Sequence, residues 1–388
     1  MNLTLTQPSL PRARHVHRVA VATWFFLQGL IFASWASRIP FVQQRMGITD
    51  GQLGLVLLAI PVGQLPSLPL AGWLIAKHGS RRVLLLGVVL YSLGLLGLGA
   101  APTVGLLVPC LVLFGFASNL MNIAVNTQAV GVEGLYQGRH IMASFHGVWS
   151  AAGFVGAAIG TTMIGWQVVP LPHFALIIGV VAVLATLSQG RILTHDAQAD
   201  ANQPIFVRPD GPLLGLGMIA FCAMICEGAM FDWSGVYFKK VVQAQGAWVG
   251  AGYTAFMSTM ALGRFGADWL TGRLGPRRVI QLSGVLTAVG LLIAVGVPTL
   301  VTALVGFVLV GFGVSSVVPL VYSAAGKSKV MSPGMALAAV STIGFLGFLI
   351  GPPLIGLVAG ATSLRVSYFL IAVMGLCVTW AATKAKQL

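Results

Sequence analysis

The chain has 388 residues, of which 57% are hydrophobic and only 8% are charged. A water-soluble domain carries roughly 25% charged residues, so this chain lacks the groups to cover its surface in water, which excludes a soluble enzyme or binding module. Its formal net charge of +14 does not point to nucleic acid, because the Lys and Arg residues form short clusters between apolar runs and not one basic face, as expected of charge placed beside a membrane.

Twelve apolar segments are predicted in chain order, near 17–37, 51–76, 81–100, 103–131, 140–165, 169–190, 213–237, 246–272, 278–297, 299–326, 334–360 and 363–382. Each reaches the ~20 residues that a helix needs to cross a bilayer core. Only helices and closed barrels satisfy every backbone polar group in lipid, and these lengths are helical, unlike the ~10-residue strands of a barrel. Before the first segment stand Arg12, Arg14 and Arg18, with no small-residue cleavage site after a short apolar stretch, so the segment reads as a retained helix and not a removed signal peptide. The second opens on Thr49-Asp50-Gly51-Gln52, a capping-box pattern that gives Asp50 a structural role. Between the sixth and seventh runs a polar stretch, Arg191–Pro212, reads as a cytoplasmic linker. The organisation expected is therefore a six-helix bundle over 1–190, a linker over 191–212 and a second six-helix bundle over 213–388.

The halves repeat. Glycines 153, 156, 160 and 165 of the fifth segment recur at 344, 347, 351 and 356 in the eleventh, a constant offset of 191. Lys77-His78-Gly79-Ser80-Arg81-Arg82 recurs as Arg273-Leu274-Gly275-Pro276-Arg277-Arg278 at an offset of 196, and Gly115-Phe116 recurs as Gly311-Phe312 at the same offset. Gln28-Gly29 in the first segment matches Glu227-Gly228 in the seventh. A duplicated six-helix unit with a site between its copies is the architecture implied: an all-α membrane protein of twelve transmembrane helices in two pseudo-symmetric bundles. With the N-terminus inside, sixteen of the 22 Lys and Arg residues fall on the cytoplasmic side, five (Arg38, Arg45, Lys239, Lys240 and Arg365) on the other, and Arg264 lies within a helix. That bias places both termini in the cytoplasm.

Ionisable groups inside a membrane are costly and mark function by default. Of eight acids, Glu227 lies nearest the middle of a segment. A carboxyl there can be held neutral as well as charged, as proton coupling requires, although a permanent ion pair is the alternative. Asp232 and His146 are further proton-coupling candidates, with Asp232 alternatively bound to Arg38 and His146 alternatively a packing residue. Asp232 lies about 140° around the helix from Glu227, so the two share a face only if the helix bends near Gly228 or Gly235. Asn119, Asn122 and Asn126, at i, i+3 and i+7, share one helix face. They supply donors and acceptors for a hydroxyl- or amine-bearing solute, or else hold helices together. Gln28, Trp35, Trp149, Trp233 and Tyr322 complete the candidate substrate-binding set. At the cytoplasmic end, Arg81, Arg82, Glu133, Arg264, Asp268, Arg273 and Arg277 read as a charged gate, with Glu133 paired to Arg81, Arg82 or Arg139 and Arg264 paired to Asp268 at i+4. Cys110, Cys222, Cys226 and Cys377 all fall inside apolar runs and read as small core residues, with no metal and no disulfide framework. Gly326-Lys327-Ser328 has Val321 where a phosphate-binding loop needs its first glycine, so ATP-driven transport has no support. No catalytic constellation or cofactor motif is present.

The loop from Gly72 to Arg82 resembles the cytoplasmic gating motif of the major facilitator superfamily, with Ala76 in place of its usual acid. Trp35-Ala36-Ser37-Arg38-Ile39-Pro40, Asn122-Ile123-Ala124-Val125-Asn126, Ser144-Phe145-His146-Gly147 and Glu227-Gly228-Ala229-Met230-Phe231-Asp232-Trp233-Ser234 resemble the fucose-permease-like group, and within it the YbjJ-like branch. The resemblance implies a monomeric secondary transporter that works by alternating access in the bacterial inner membrane. Its partners would be the lipid bilayer, a small solute and a proton. The acids that the fucose-permease type uses in its first and fourth helices fall on Ala36 and Asn122 here, so coupling through those positions is excluded. The reading is transport of a small polar solute, sugar-like or amine-bearing. The rivals are efflux of amphipathic drugs and a non-transporting sensor on a carrier fold.

Overall fold

The computed structural model describes residues 10–136, 141–194, 211–328, 333–385 and 388. Their regular structure is helical, without a strand: α1 (Leu10–Ala36), α2 (Ile39–Met46), α3 (Asp50–Leu57), α4 (Ala59–His78), α5 (Ser80–Ala100), α6 (Val104–Gly134), α7 (Met142–Gly165), α8 (Pro170–Ser188), α9 (Gly211–Lys240), α10 (Trp248–Leu274), α11 (Pro276–Gly296), α12 (Leu300–Ser315), α13 (Val317–Ala325), α14 (Pro333–Ala361) and α15 (Leu364–Lys384), with one 3-10 turn after α8. They make twelve crossings, because α1–α2, α3–α4 and α12–α13 each continue one span. In all three the first helix stops four residues before a proline: Ala36 before Pro40, Leu57 before Pro61 and Ser315 before Pro319. Proline has no N–H for the carbonyl four residues back, and its ring collides with that carbonyl. Proline alone does not force a stop, since Pro66 and Pro69 lie within α4. Thr49 caps α3 as expected: its hydroxyl accepts from the Gln52 amide, and the Gln52 side chain accepts from the Thr49 amide.

Eleven of the spans are long and apolar enough to cross a membrane; α10, which carries Arg264, Asp268 and Arg273, is the exception. Large apolar side chains face outward, among them Leu187, Leu262, Phe265 and Val301. In water such a surface would drive aggregation, whereas lipid solvates it. Tryptophans ring both ends: Trp166 and Trp248 at one, Trp73, Trp269 and Trp380 at the other. That is where their amphipathic rings meet lipid headgroups. The end that carries Leu10 and Lys384 is called the near end below, and the opposite one the far end.

The repeats correspond to repeated contacts. A Cβ on Gly115 would collide with the Ile60 carbonyl oxygen, closing α6 on α4, and one on Gly311 would collide with the Phe256 carbonyl oxygen, closing α12 on α10. Gly156 lies against Leu30 and Ala33 of α1, and Gly347 lies against Phe221 and Ile225 of α9. Lys77 sits over the Trp73 ring at 4.9 Å and Arg273 over Trp269 at 4.2 Å. Gly79 and Gly275 turn the chain at φ 80° and 78°, a region closed to side chains with a Cβ. The two halves are thus one six-span unit built twice.

Across the seam between the bundles, α7 runs along α10. Thr161 meets Thr254 through their hydroxyls at 2.9 Å, Gly153 faces Met257 and Gly147 faces Phe265. At the far end α3 meets α14 backbone to backbone, with Gly54 against Gly356 and the Pro352 carbonyl. Beside it Pro40 packs on Gly235, Lys239 donates to Gln44, and Lys240 pairs with Asp50 at 2.5 Å. The far end is closed by these contacts.

Candidate functional site

Glu227 lies midway along α9 and is buried. Its Oε1 accepts from Arg264 Nη2 of α10 at 3.0 Å. The other guanidinium arm, Nη1, crosses the seam to donate to Ser150 Oγ of α7 at 2.6 Å. The Ser150 hydroxyl in turn donates a hydrogen bond to the carbonyl of His146 at 3.1 Å, one turn earlier. The guanidinium also lies 5.7 Å from the Trp149 ring centroid. One arginine therefore joins a carboxylate of the second bundle to a hydroxyl and an indole of the first, in surroundings where charge is weakly screened.

Beside this relay is an aromatic cluster. Phe231, one turn after Glu227, meets Phe32 edge-on at 5.1 Å, Trp149 at 6.1 Å, Phe256 at 5.8 Å and Phe348 at 6.5 Å. Phe32 and Phe231 are themselves equivalent under the match of Gln28-Gly29 to Glu227-Gly228, so related rings touch where the two bundles meet. Gln28 is buried; its Nε2 donates to the Ser118 carbonyl of α6 at 3.3 Å, and its Oε1 has no partner among the described residues.

The helix-four asparagines do not act alike. Asn119 donates to Ser67 Oγ at 2.6 Å and joins α6 to α4, the helix-binding role. Asn126 bonds the Asn122 carbonyl of its own helix at 2.8 Å. Asn122, half-buried, keeps its amide free of any partner among the described residues. Trp35 and Trp233 are fully enclosed and belong to the core, unlike Trp149, which is half-buried at the seam. Tyr322 of α13 is half-buried. His146 is half-buried, edge-on to Phe25 at 5.4 Å.

Two expected pairings are replaced. Arg264 turns to Glu227 and not to Asp268, which is exposed, because the carboxylate inside the protein competes with no water for the guanidinium. Arg38 bonds His173 of α8 at 3.1 Å, leaving Asp232 half-buried with no ion pair among the described residues. Since α9 runs unbroken through Gly228 and Gly235, Asp232 and Glu227 diverge as their spacing requires. Glu133 uses Oε2 to accept from the amides of Ile141 and Met142 at 2.7 and 2.8 Å, capping α7 where its free N–H groups attract negative charge. Arg139 lies outside the described residues. Of the other gate residues, Arg277 donates to the Thr383 carbonyl and Arg273 lies over Trp269, while Arg81 and Arg82 make no ion pair among the described residues. Ser150, Phe32 and Phe231 escaped the sequence reading. The repeat register through Gln28 and Glu227 was the signal that pairs the two phenylalanines; nothing in the sequence points to Ser150.

A sequence model of the Major Facilitator Superfamily matches residues 21–267 and 221–385. An uncharacterised MFS-type transporter of Yersinia pestis is 35% identical over 365 residues, 94% of each chain. Among solved structures, a mutant of the nucleoside transporter NupG superposes with a TM-score of 0.72 at 16% identity, covering 95% of this chain and 99% of that one. A mutant of the fucose:proton symporter FucP of E. coli superposes at 0.65 and 17% identity, covering 95% and 98%. Twelve spans in two repeated bundles, a charged relay at their seam and these matches agree: the chain belongs to the Major Facilitator Superfamily and is a multi-pass membrane transporter, not an enzyme.

Proposed function

We propose that this transporter moves a small polar solute, sugar-like or amine-bearing, across the bacterial inner membrane by alternating access, as a monomer coupled to protons through Glu227. The observation that carries the reading is the buried relay Glu227–Arg264–Ser150, which crosses the seam that must open and close. A proton on Glu227 removes the charge that holds Arg264 and so changes the cost of parting α7 from α10. The Asn122 amide and the Gln28 Oε1, both without a partner among the described residues, offer hydrogen bonds, and the Trp149–Phe32–Phe231 rings offer stacking faces, which suits a ring bearing hydroxyls or an amine. The similarity to a nucleoside transporter and a fucose:proton symporter supports the same class of cargo. Lys and Arg asymmetry supports both termini in the cytoplasm, and the conformation is then the one closed toward the periplasm.

The test begins with thermal-shift screening of purified protein against sugars, polyols, nucleosides, amines and amphipathic drugs. A stabilising solute is then loaded in proteoliposomes under a proton gradient. Wild-type protein should accumulate it. Glu227→Gln should lose accumulation yet keep solute exchange. Accumulation by the variant equal to wild type would remove Glu227 from coupling.

A further inference from the structure

At the far end, away from the relay, Arg38 occupies the turn between α1 and α2 and is 1% exposed. Its Nε donates to His173 Nδ1 of α8 at 3.1 Å, and its Nη2 has no hydrogen-bond partner among the described residues. Because His173 accepts on Nδ1, its proton sits on Nε2, and that nitrogen is also buried without a partner among the described residues. Two buried donors, one on a permanent cation, thus lack an acceptor among the described residues. The acids do not supply one among the described residues: Asp50 takes Lys240 and Gln43, Glu133 caps α7, Glu227 takes Arg264, Asp268 is exposed in the near-end half of α10, and Asp232 makes no ion pair. A buried guanidinium with no counter-charge is unfavourable unless something else provides it.

Arg38 also reaches the wall of a cavity of about 190 Å3. Ser37 and Phe41 line it from the first bundle with Gln167 at the end of α7, while Lys239 and Val249 close it from the second bundle. A second cationic residue, Lys239, whose ammonium donates to Gln44, therefore shares the wall with Arg38, and no acid lines it among the described residues. We propose that this cavity is an anion site, in which Arg38, oriented by His173, and Lys239 hold the carboxylate or phosphate group of a small molecule or of a lipid headgroup across the seam. A planar guanidinium matches a two-oxygen group in a way that water does not. Lys239 and Val249 belong to one bundle and Arg38 to the other, so an occupant favours the closed far end.

The test uses the full-length protein in nanodiscs, followed by thermal stability. Neutral-lipid discs are titrated with phosphate, sulfate, acetate and citrate at fixed ionic strength; a second set contains phosphatidylglycerol and no added anion. Saturable stabilisation in neutral discs is the expected result and identifies a soluble anion. Stabilisation by phosphatidylglycerol alone identifies a headgroup at the same site. In either arm Lys239→Ala, at the rim, should weaken the effect about tenfold, and Arg38→Gln more. Lys239→Ala keeps the proposal testable if Arg38→Gln does not fold. Absence of a saturable effect in both arms, or an effect that Lys239→Ala leaves unchanged, would overturn the site. Neither outcome depends on whether Glu227 couples protons.

Discussion

Arg264 is held by one acid, one hydroxyl and one indole, and the balance among them decides what a substitution there does. Replacing it with Gln strands the Glu227 carboxylate in a site where only about a tenth of either side chain is exposed, 12% and 8%. Removing one partner of such a pair costs about 3–5 kcal/mol, because the remaining charge stays desolvated. Arg264→Gln should therefore lower the melting temperature sharply. The double change Glu227→Gln with Arg264→Gln should recover part of the loss, since two amides can hydrogen-bond without charge. A double variant that melts as low as the sum of the two singles would mean that the residues do not act as a pair. Asn119 and Asn122 differ in the same way: of two identical side chains one turn apart, only Asn119 finds Ser67 and joins α6 to α4.

Helices here approach closely wherever a glycine faces a backbone carbonyl, and α4 with α6 is the tightest example. Gly63 lies against the Val112 carbonyl and Gly115 against the Ile60 carbonyl, so each helix offers its gap to the other. Lipid supplies no hydrophobic drive between helices, and close van der Waals contact of this kind is what joins them. Gly115→Val must push the helices apart and should cost about 1–3 kcal/mol, the range for an overpacked core. Gly72→Ala, where nothing lies within 4 Å, should leave the melting curve unchanged. If both variants melt like wild type, the α4–α6 contact is not needed for assembly.

At the scale of the molecule, the conformation depends on what closes the far end. The Asp50–Lys240 pair is partly exposed, 17% and 41%, so solvent screens it and it contributes no more than about 1 kcal/mol. The glycine contact between α3 and α14 and the packing of Pro40 on Gly235 supply apolar closure beside it. Asp50→Asn should shift the balance toward a parted far end by at most about fivefold. Spin labels at Trp166 and Val297, with the native cysteines replaced, would report this as a larger long-distance fraction. A complete loss of the short distance would show that the ion pair, and not the backbone contact, holds the closed state.

The sequence by itself determined the solvent, the number of spans and the duplication. Those follow from composition, run length and spacing along the chain, quantities that no packing can alter. It also marked Glu227 and Arg264 as charges inside lipid, and the capping box at Thr49 was readable because all its atoms lie within four residues. Partners were a different matter. Arg264 could be assigned to Asp268 from proximity in sequence, and Arg38 to Asp232 from a shared side of the membrane, yet their partners are Glu227 and His173, 37 and 135 residues away. Which of three asparagines keeps a free amide, and which two tryptophans are sealed in the core, depends on neighbouring helices. Such choices are made by contacts between spans, where burial strengthens one pairing and water dissolves another, and only the tertiary structure brings those groups together.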